Sequence, residues 1–561
     1  MPKNLNIDEE YQNQKDLIAA IRGNQTTRDL QKNKTFKSKK FKTKKTKGVL
    51  EQLPAEYQNS VLQVYATTIE YDYTQPWAAP SQSSHRGSSF ILNYNNQNFI
   101  VTNAHVAGKS RTLQVRFTEE AQKYSAKVIL IEPDCDLALL DITKDKEKFW
   151  SKAKPLSLLD RMFKVGEKLN VCGFPMGGNE LCVTEGQVSR IEVSSYVESV
   201  SGGSEVELLQ GQVSAAINPG NSGGPVLSNK KVIGVAFQGS DCGEGLGYII
   251  PPPVLKHFLN KSLFPGLAIE IQEIKNEITK KYLKLSKDET GVVINKVHKL
   301  SSANKLLKKH DVIMSIDGIQ VNDDGTISTE FSNRINYKHL ISMKNIGDPL
   351  VLQIKRNGVK LSITVNLYNK SGTTCIVPPE ERENKPSYII ESGVVFMPVT
   401  GNYVEMDNID VVDESKPKNK LWQQIVIVKE VLNSSFIEEV PDLKDQRIKL
   451  INNKKINNMR DAVQVLRNNK EQFHSVEFMD KQLLVIPNLT VIERSKLFKE
   501  LGIDKPCSDD LTYEGLSKPL KAKIGYPEYW MPQFAEKRKQ QSYKTEDTEI
   551  TIKHSKRPRL V

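Results

Sequence analysis

Residues 215–227 read Ala-Ala-Ile-Asn-Pro-Gly-Asn-Ser-Gly-Gly-Pro-Val-Leu, and an apolar run, VIGVAF, follows at 232–237. Two prolines and three glycines exclude a helix here. The segment reads as a tight loop between two strands, with Ser222 at its tip. Glycine lets the backbone turn sharply and aim successive N–H groups at one point. Acyl transfer needs that arrangement: a nucleophile beside preset donors for a developing oxyanion. The plain alternative is a Gly/Ser turn with no chemistry.

The surroundings of this loop are rich in short strands. VLQVYATTIEYDY (61–73) alternates, and FILNY, a polar NNQ turn and FIVTN form a hairpin pattern within 90–103. TLQVRF, SAKVILIE, LALLDI, KLNVCGFP, ELCVTEGQVSRIE and VELLQGQVSAAI follow at short spacing. Many short strands with turns and few helical periods predict an all-β barrel or sandwich. PPPVLKHFLNKSL (251–263) reads as a closing helix, with prolines at its start.

Two acid–base partners precede the serine. His105 lies in VTNAHVAG, just beyond a strand, and Asp136 lies in EPDCDLALL, just before one. An imidazole can take a serine proton at neutral pH and return it to a leaving amine. A buried carboxylate holds the ring in the right tautomer. On spacing alone, Asp134 or Asp141 would serve as well as Asp136. Gly220-Asn221-Ser222-Gly223-Gly224 also fits the G-x-S-x-G nucleophile elbow. That motif needs a helix after the serine and places its acid and histidine later in the chain. Here Pro225 and a β-like run follow, and the candidates come first.

The length of 561 residues implies roughly three or four domains. No run of about 18 apolar residues occurs, so no transmembrane helix is expected. MPKNLNIDEEYQNQKD lacks an apolar core and carries acids early, unlike a secretory signal or a transit peptide. Cysteines 135, 172, 182, 242, 375 and 507 show no metal-ligand spacing and read as reduced thiols. No metal and no cofactor is expected. The net charge of +12 equals the eight lysines of 34–47 plus Lys553, Lys556, Arg557 and Arg559, so the rest of the chain is balanced. Such basic segments suggest a nuclear-import address or nucleic-acid contact. A nucleic-acid role is disfavoured, because the lysine run interleaves only Phe36 and Phe41 as stacking platforms.

With VTNAHV, CDLALL, GFPMGG followed by VTEGQVSRIE, and AAINPGNSGGPVL followed by VIGVAF and GYIIP in view, residues 60–262 resemble the HtrA/Deg family of chymotrypsin-fold serine proteases. The resemblance implies a mainly β chain: a chymotrypsin-like double β-barrel protease domain, then two PDZ-like domains. It assigns His105 as general base, Asp136 as its orienting acid and Ser222 as nucleophile, with the N–H groups of Gly220 and Ser222 as oxyanion hole. By position, Ile217, Phe237, Gln238 and Gly239, with Ser240, line the pocket for the residue before the scissile bond. They carry no acid, so an aliphatic preference is expected, with Asp241 near enough to keep a basic one open.

GVVINKVHKLSSANKLLKKHDVIMSIDGIQV (291–321) and LVLQIKRNGVKLSITVNL (350–367) resemble a PDZ domain, with a turn at Asn357-Gly358. YLKL (282–285) falls where the peptide-carboxylate loop is expected, without that loop's glycines. A divergent second PDZ-like unit covers IVIVKEVLNSS, QRIKLINNKKI, the helical MRDAVQVLRNN and HSVEFMDKQLLVIP. The expected organisation is a disordered basic segment over 1–55 with a short helix near 14–21, a protease domain over 56–264, PDZ domains over 266–370 and 388–490, and an extension with a basic tail over 491–561. The layout is most similar to the plant nuclear branch of the family. It implies an ATP-independent endopeptidase acting on unfolded or regulatory proteins, a trimer-based homo-oligomer, no membrane partner, and a nuclear or nucleolar location, otherwise cytoplasmic. The competing reading is a catalytically idle scaffold that binds peptides through its PDZ domains.

Overall fold

The computed structural model describes residues 57–516, apart from 109, 177, 197–205, 240–245, 368–376, 378–384, 408–422, 438–441 and 513–515. The basic segment 34–47, the helix expected near 14–21 and the basic tail lie outside the described residues. No helix among the described residues is long and apolar enough to cross a membrane.

Thirteen strands form one continuous sheet that closes on itself twice. The first six are β1 (Val61–Glu70), β2 (Ser81–Tyr94), β3 (Gln97–Thr102), β4 (Ser110–Phe117), β5 (Tyr124–Glu132) and β6 (Leu137–Ile142). Their order is β1-β4-β5-β6-β3-β2, and β1 pairs β2 again to close a barrel. Closure removes exposed sheet edges. The expected β2–β3 hairpin turns through Asn95 and Asn96, both at positive φ, as a two-residue turn demands. Inside, Phe117 lies 5.0 Å from Phe149 and 6.0 Å from Tyr124. All three are almost fully buried, and each such ring stabilises the barrel by about 1.5–3 kcal/mol.

The second barrel uses β7 (Leu156–Leu158), β8 (Lys168–Gly173), β9 (Cys182–Ser195), β10 (Glu207–Val213), β11 (Pro225–Ser228), β12 (Lys231–Gly239) and β13 (Gly247–Ile250). The order is β7-β12-β11-β8-β9-β10-β13, closed by β12 with β13. A short helix, α1 (Ala104–Ala107), interrupts the first barrel, α2 (Lys146–Lys152) joins it to the second, and α3 (Pro252–Leu259) follows the second. The chain is thus mainly β, a trypsin-like double barrel followed by further sheets.

The first of these sheets runs β14-β15-β16-β20-β21, with β17 (Ile319–Gln320) paired to β16. Its strands are β14 (Ile269–Gln272), β15 (Val292–Val297), β16 (Val312–Ile316), β20 (Pro349–Arg356) and β21 (Val359–Asn366), while β18 (Thr326–Ile327) and β19 (Ile335–Asn336) form a separate pair. Helices α4 (Glu277–Tyr282) and α5 (Lys338–Ser342) accompany it. One apolar core continues from the second barrel into this sheet, from Leu208 and Phe264 to Ile294 and Tyr337. Lys338 Nζ also reaches Glu207 Oε1 on β10 at 2.5 Å. The terminal strands of this sheet are β14 and β21.

The structure corrects the role read for 282–285. Leu283 and Leu285 are buried with Ile274, Val293 and Val312. The N–H groups of Leu283, Lys284 and Leu285 donate to Thr279, Lys281 and Lys280 carbonyls at 3.0, 3.0 and 2.9 Å. Amides already satisfied cannot hold a carboxylate. The turn that enters β14 instead passes through Leu267 and Ala268, the latter at φ +50°.

The last sheet runs β22-β23-β24-β25-β27-β28, with β26 (Lys454–Lys455) paired to β25. Its strands are β22 (Ile389–Glu391), β23 (Val394–Pro398), β24 (Val426–Val431), β25 (Gln446–Ile451), β27 (Phe473–Phe478) and β28 (Leu483–Pro487). Its helices are α6 (Gly401–Asp407), α7 (Met459–Arg467) and α8 (Val491–Leu501). Met459, Ala462, Val463 and Leu466 pack the α7 face onto one side of the sheet. The other side is covered by Phe498 and Leu501 of α8 and by Tyr71, Tyr73 and Trp77 from the β1–β2 connection. An aromatic arm of the first barrel therefore belongs to the core of the third unit.

Candidate active site

His105 and Asp136 are brought into direct contact. The strand β3 ends at Thr102, Asn103 caps α1, and His105 is the second residue of that short helix. Asp136 follows a 3-10 turn over 133–135 and adopts φ +49°, a left-handed conformation that aspartate tolerates better than most residues. Its carboxylate contacts His105 at two points: Oδ1 accepts the His105 backbone N–H at 2.8 Å, and Oδ2 lies 2.7 Å from Nδ1. Its carbonyl oxygen accepts from Asn103 Nδ2 at 2.8 Å and from the Ala104 N–H at 3.1 Å. Four bonds thus fix the pair. The Asp136 side chain is 7% exposed and that of His105 32%, so the acid is enclosed while the ring stays partly open to solvent. Asp141, left open by spacing, instead pairs with Lys146 at the surface.

Ser222 is half-buried on the loop before β11. Its Oγ donates to the Phe237 carbonyl at 3.4 Å, and among the described residues it makes no hydrogen bond to His105. The loop nevertheless abuts the chain that leads to the histidine. A Cβ on Gly223 would lie 2.4 Å from Thr102 Oγ1 and 3.1 Å from Asn103 N. Catalytic hydrogen bonds in unliganded sites are commonly long and tighten when substrate binds.

The loop's amides are sorted into two groups. Asn221, Gly223 and Gly224 N–H donate to the Asn218, Ala236 and Asn221 carbonyls at 2.9, 2.8 and 2.9 Å. The N–H groups of Gly220 and Ser222 have no acceptor among the described residues. The Pro219 carbonyl accepts the Met176 N–H at 2.8 Å. Because a trans peptide sets C=O and N–H on opposite sides, this bond turns the Gly220 N–H away from Met176. Gly220 has φ +100°, and a Cβ there would meet Phe174 O at 2.4 Å. Only glycine fits.

Ser88 on β2, which sequence reasoning missed, ties this loop down. Its Oγ donates to the Gly220 carbonyl at 2.7 Å and accepts the Phe174 N–H at 2.9 Å. Its own N–H donates to the Ser222 carbonyl at 2.9 Å, and its carbonyl accepts Thr102 Oγ1 at 2.7 Å. Nothing in Arg-Gly-Ser-Ser marks this role, since the partners lie 14 to 134 positions away in the chain.

Of the four residues placed in the substrate pocket, Ile217 and Phe237 are buried, Gly239 is half-buried and Gln238 is exposed. The Phe237 ring stacks on Tyr196 at 4.7 Å rather than lining open space. Ile217 crosses to Gly247, where a Cβ would lie 2.6 Å from its side chain, and Gly239 passes close to the Ile217 carbonyl. Ser240 and Asp241 lie outside the described residues. Cys135 is fully buried, and desolvation pushes its thiol well above the usual range. Burial likewise holds Cys172 up at about 12. Neither is a nucleophile at neutral pH. No group of three or more His, Cys, Asp or Glu among the described residues could hold a metal ion.

Residues 87–235 match the trypsin-like peptidase domain family, and residues 265–367 and 377–510 each match a PDZ domain family. The putative protease Do-like 3, mitochondrial, of Arabidopsis thaliana is 32% identical over 471 residues, 82% of this chain and 82% of that one. Protease Do-like 2, chloroplastic, of the same plant is 33% identical over 475 residues, 82% of this chain and 76% of its own length. The solved HtrA-type protease AlgW with decapeptide aligns at TM-score 0.40 and 21% identity, covering 55% of this chain and 95% of that one. The plant relatives are named as mitochondrial or chloroplastic. They overturn the nuclear or nucleolar address, and the cytoplasmic fallback, expected from the likeness to the plant nuclear branch and from the two basic segments. Lysine runs specify charge, and charge alone does not specify a compartment. A trypsin-like domain followed by two PDZ domains, with plant Do-like relatives matched over most of its length, places the chain in the HtrA/Deg family of serine proteases as a serine-type endopeptidase.

Proposed function

We propose that the chain hydrolyses peptide bonds by acyl transfer through Ser222, His105 and Asp136. Ser222 Oγ attacks the scissile carbonyl carbon while His105 Nε2 takes its proton. Asp136, bonded to Nδ1, holds the tautomer that leaves Nε2 free and stabilises the imidazolium. The tetrahedral oxyanion is held by the N–H groups of Gly220 and Ser222, which have no acceptor among the described residues. Collapse expels the amine with the proton from His105. Water, deprotonated by the same ring, then cleaves the acyl-enzyme. The observation that carries this reading is the two-point His105–Asp136 contact, set beside a glycine loop in which two amides have no acceptor among the described residues.

Ile217 packs its side chain against Gly247 and its carbonyl against Gly239. An apolar wall of this kind favours an aliphatic residue before the scissile bond. The open edge of β14 suits an extended peptide added as one more strand, which makes the first PDZ domain the substrate-tethering one. Chemistry of this kind needs no ATP, and the substrates are unfolded or regulatory proteins. From the family resemblance, the working form is a homo-oligomer built from trimers, which light scattering measures directly.

Casein digestion without ATP, wild type beside Ser222→Ala at matched oligomeric state, tests the reading. Slow cleavage that vanishes in the variant is expected. Cleavage that persists in Ser222→Ala contradicts it.

A further inference from the structure

Past α8, the chain does not simply leave the third unit. Gly502 ends the helix at φ +65°, and the Ile503 N–H returns to the Phe498 carbonyl at 2.9 Å, a C-terminal cap that redirects the backbone. Ile503 is buried among the residues under α8. The next residues run back along β22, one of the two terminal strands of its sheet. Cys507 lies opposite Ile389 in antiparallel register. The flanking bonds follow the antiparallel pattern: Ile390 N–H to the Pro506 carbonyl at 2.7 Å and Ser508 N–H to the Tyr388 carbonyl at 3.0 Å.

Side chains add to the ladder. Ser508 Oγ accepts the Tyr388 N–H at 3.0 Å, Tyr388 Oη donates to the Lys505 carbonyl at 3.0 Å, and Ser387 Oγ donates to Asp510 Oδ2 at 2.8 Å. Arg467, at the end of α7, sets Nη2 3.8 Å from Cys507 Sγ. The short turn over 509–511 then packs on α7 and delivers Leu511, 2% exposed, into the apolar cluster formed by Met459, Ala462, Val463 and Leu466. An added strand at a sheet edge, with an aliphatic side chain set against the neighbouring helix, is how a sheet captures a peptide. Here the captured peptide is covalently part of the chain.

We propose that the groove between β22 and α7 is a peptide-binding site whose resident ligand is residues 505–511 of the same chain. Its ligand class is a peptide that is extended where a small hydroxyl residue stands in register with Tyr388 and then turns to seat a leucine-sized aliphatic residue three positions later. Because the resident segment is tethered, it competes at an effective concentration of the order of millimolar. An outside peptide therefore binds weakly until the segment is released. The two PDZ domains are not equivalent: the first offers a free edge, the second holds its own ligand.

The test uses the full chain in a Ser222→Ala background, so that the probe is not cut. A fluorescein-labelled synthetic peptide spanning residues 503–512 is titrated against this protein and against the same protein carrying Leu511→Asp. The released protein is expected to bind the probe at least about tenfold more tightly, and a probe with aspartate in place of its leucine is expected not to bind. Hydrogen exchange at the Ile390 amide is expected to be slow in the unreleased protein and faster in Leu511→Asp. Equal affinity in both proteins, a folded Leu511→Asp that ignores the probe, or an Ile390 amide that exchanges equally fast in both, overturns the proposal. Should Leu511→Asp not fold, Ser508→Ala, which removes the Oγ bond to the Tyr388 N–H, carries the same comparison with the same deciding outcomes.

Discussion

Replacing Ser88 by alanine tests how the serine loop is held. The hydroxyl is fully buried and joins the Gly220 carbonyl to the Phe174 N–H. Removing it orphans one buried acceptor and one buried donor. Each such group costs about 1–3 kcal/mol, so the substitution destabilises by about 2–6 kcal/mol if the loop stays put. A domain with about 5–15 kcal/mol of stability remains folded at 25 °C in most of that range. The loop has a cheaper option, which is to shift at Gly220 until the freed carbonyl finds water. That shift carries the whole residue, its N–H included, out of the position where the oxyanion forms, and losing one such donor costs about 100-fold or more in turnover. The ground-state contacts of the peptide are untouched, so KM should stay within about twofold. The assay is steady-state hydrolysis of a fluorogenic peptide, with the melting temperature measured on the same preparation. A Ser88→Ala protein with wild-type kcat and an unshifted melting temperature refutes the reasoning. So does a loss confined to KM.

Further outcomes follow from neighbouring contacts. Asp136→Asn keeps the shape of the site but removes the carboxylate that fixes the His105 tautomer; kcat should fall by about 10,000-fold, and a fall below tenfold contradicts the assigned role. Ile217→Ala opens the wall facing Gly247, so a cleavage-site survey should broaden toward larger residues before the scissile bond; a survey dominated by Lys and Arg in the wild type sinks the aliphatic pocket. Glu289 is held down at about 2, first by its bond to Lys355 and then by the Ser286 N–H and Lys360. A carboxyl with a depressed folded-state pKa stabilises above its ordinary value near 4.5 and loses that contribution as pH falls toward about 2. Thermal melts should therefore show a steeper acid loss for wild type than for Glu289→Gln, and parallel curves count against the contact.

The sequence carried those features whose cause is local. The Asn95-Asn96 and Asn357-Gly358 turns, the closing helix at 252–259 and the glycine-bounded serine loop each announce themselves within a few residues. His105 and Asp136, which the structure brings into contact, stood out because each sits in a short motif at a strand end. Contacts between distant segments left no periodic trace. Ser88 reaches Gly220 across 132 positions, and Ser508 reaches Tyr388 across 120. The arm of Tyr71, Tyr73 and Trp77 reads as a polar-aromatic connection until the third unit is in place. Residues 282–285 were misread because Leu283 and Leu285, spaced like a loop motif, serve the core beneath α4. The compartment was misread because a two-PDZ layout and net charge in a tail are each compatible with many addresses.

The most direct measurement is covalent labelling with a fluorophosphonate, followed by peptide mapping. Such a probe reacts with a serine only when a base removes its proton and amides hold the new anionic oxygen. The account predicts one adduct, on Ser222, formed by the wild type, nearly abolished by His105→Ala and strongly slowed by Ser88→Ala. An adduct on another residue, or labelling of Ser222 at the same rate without His105, contradicts it.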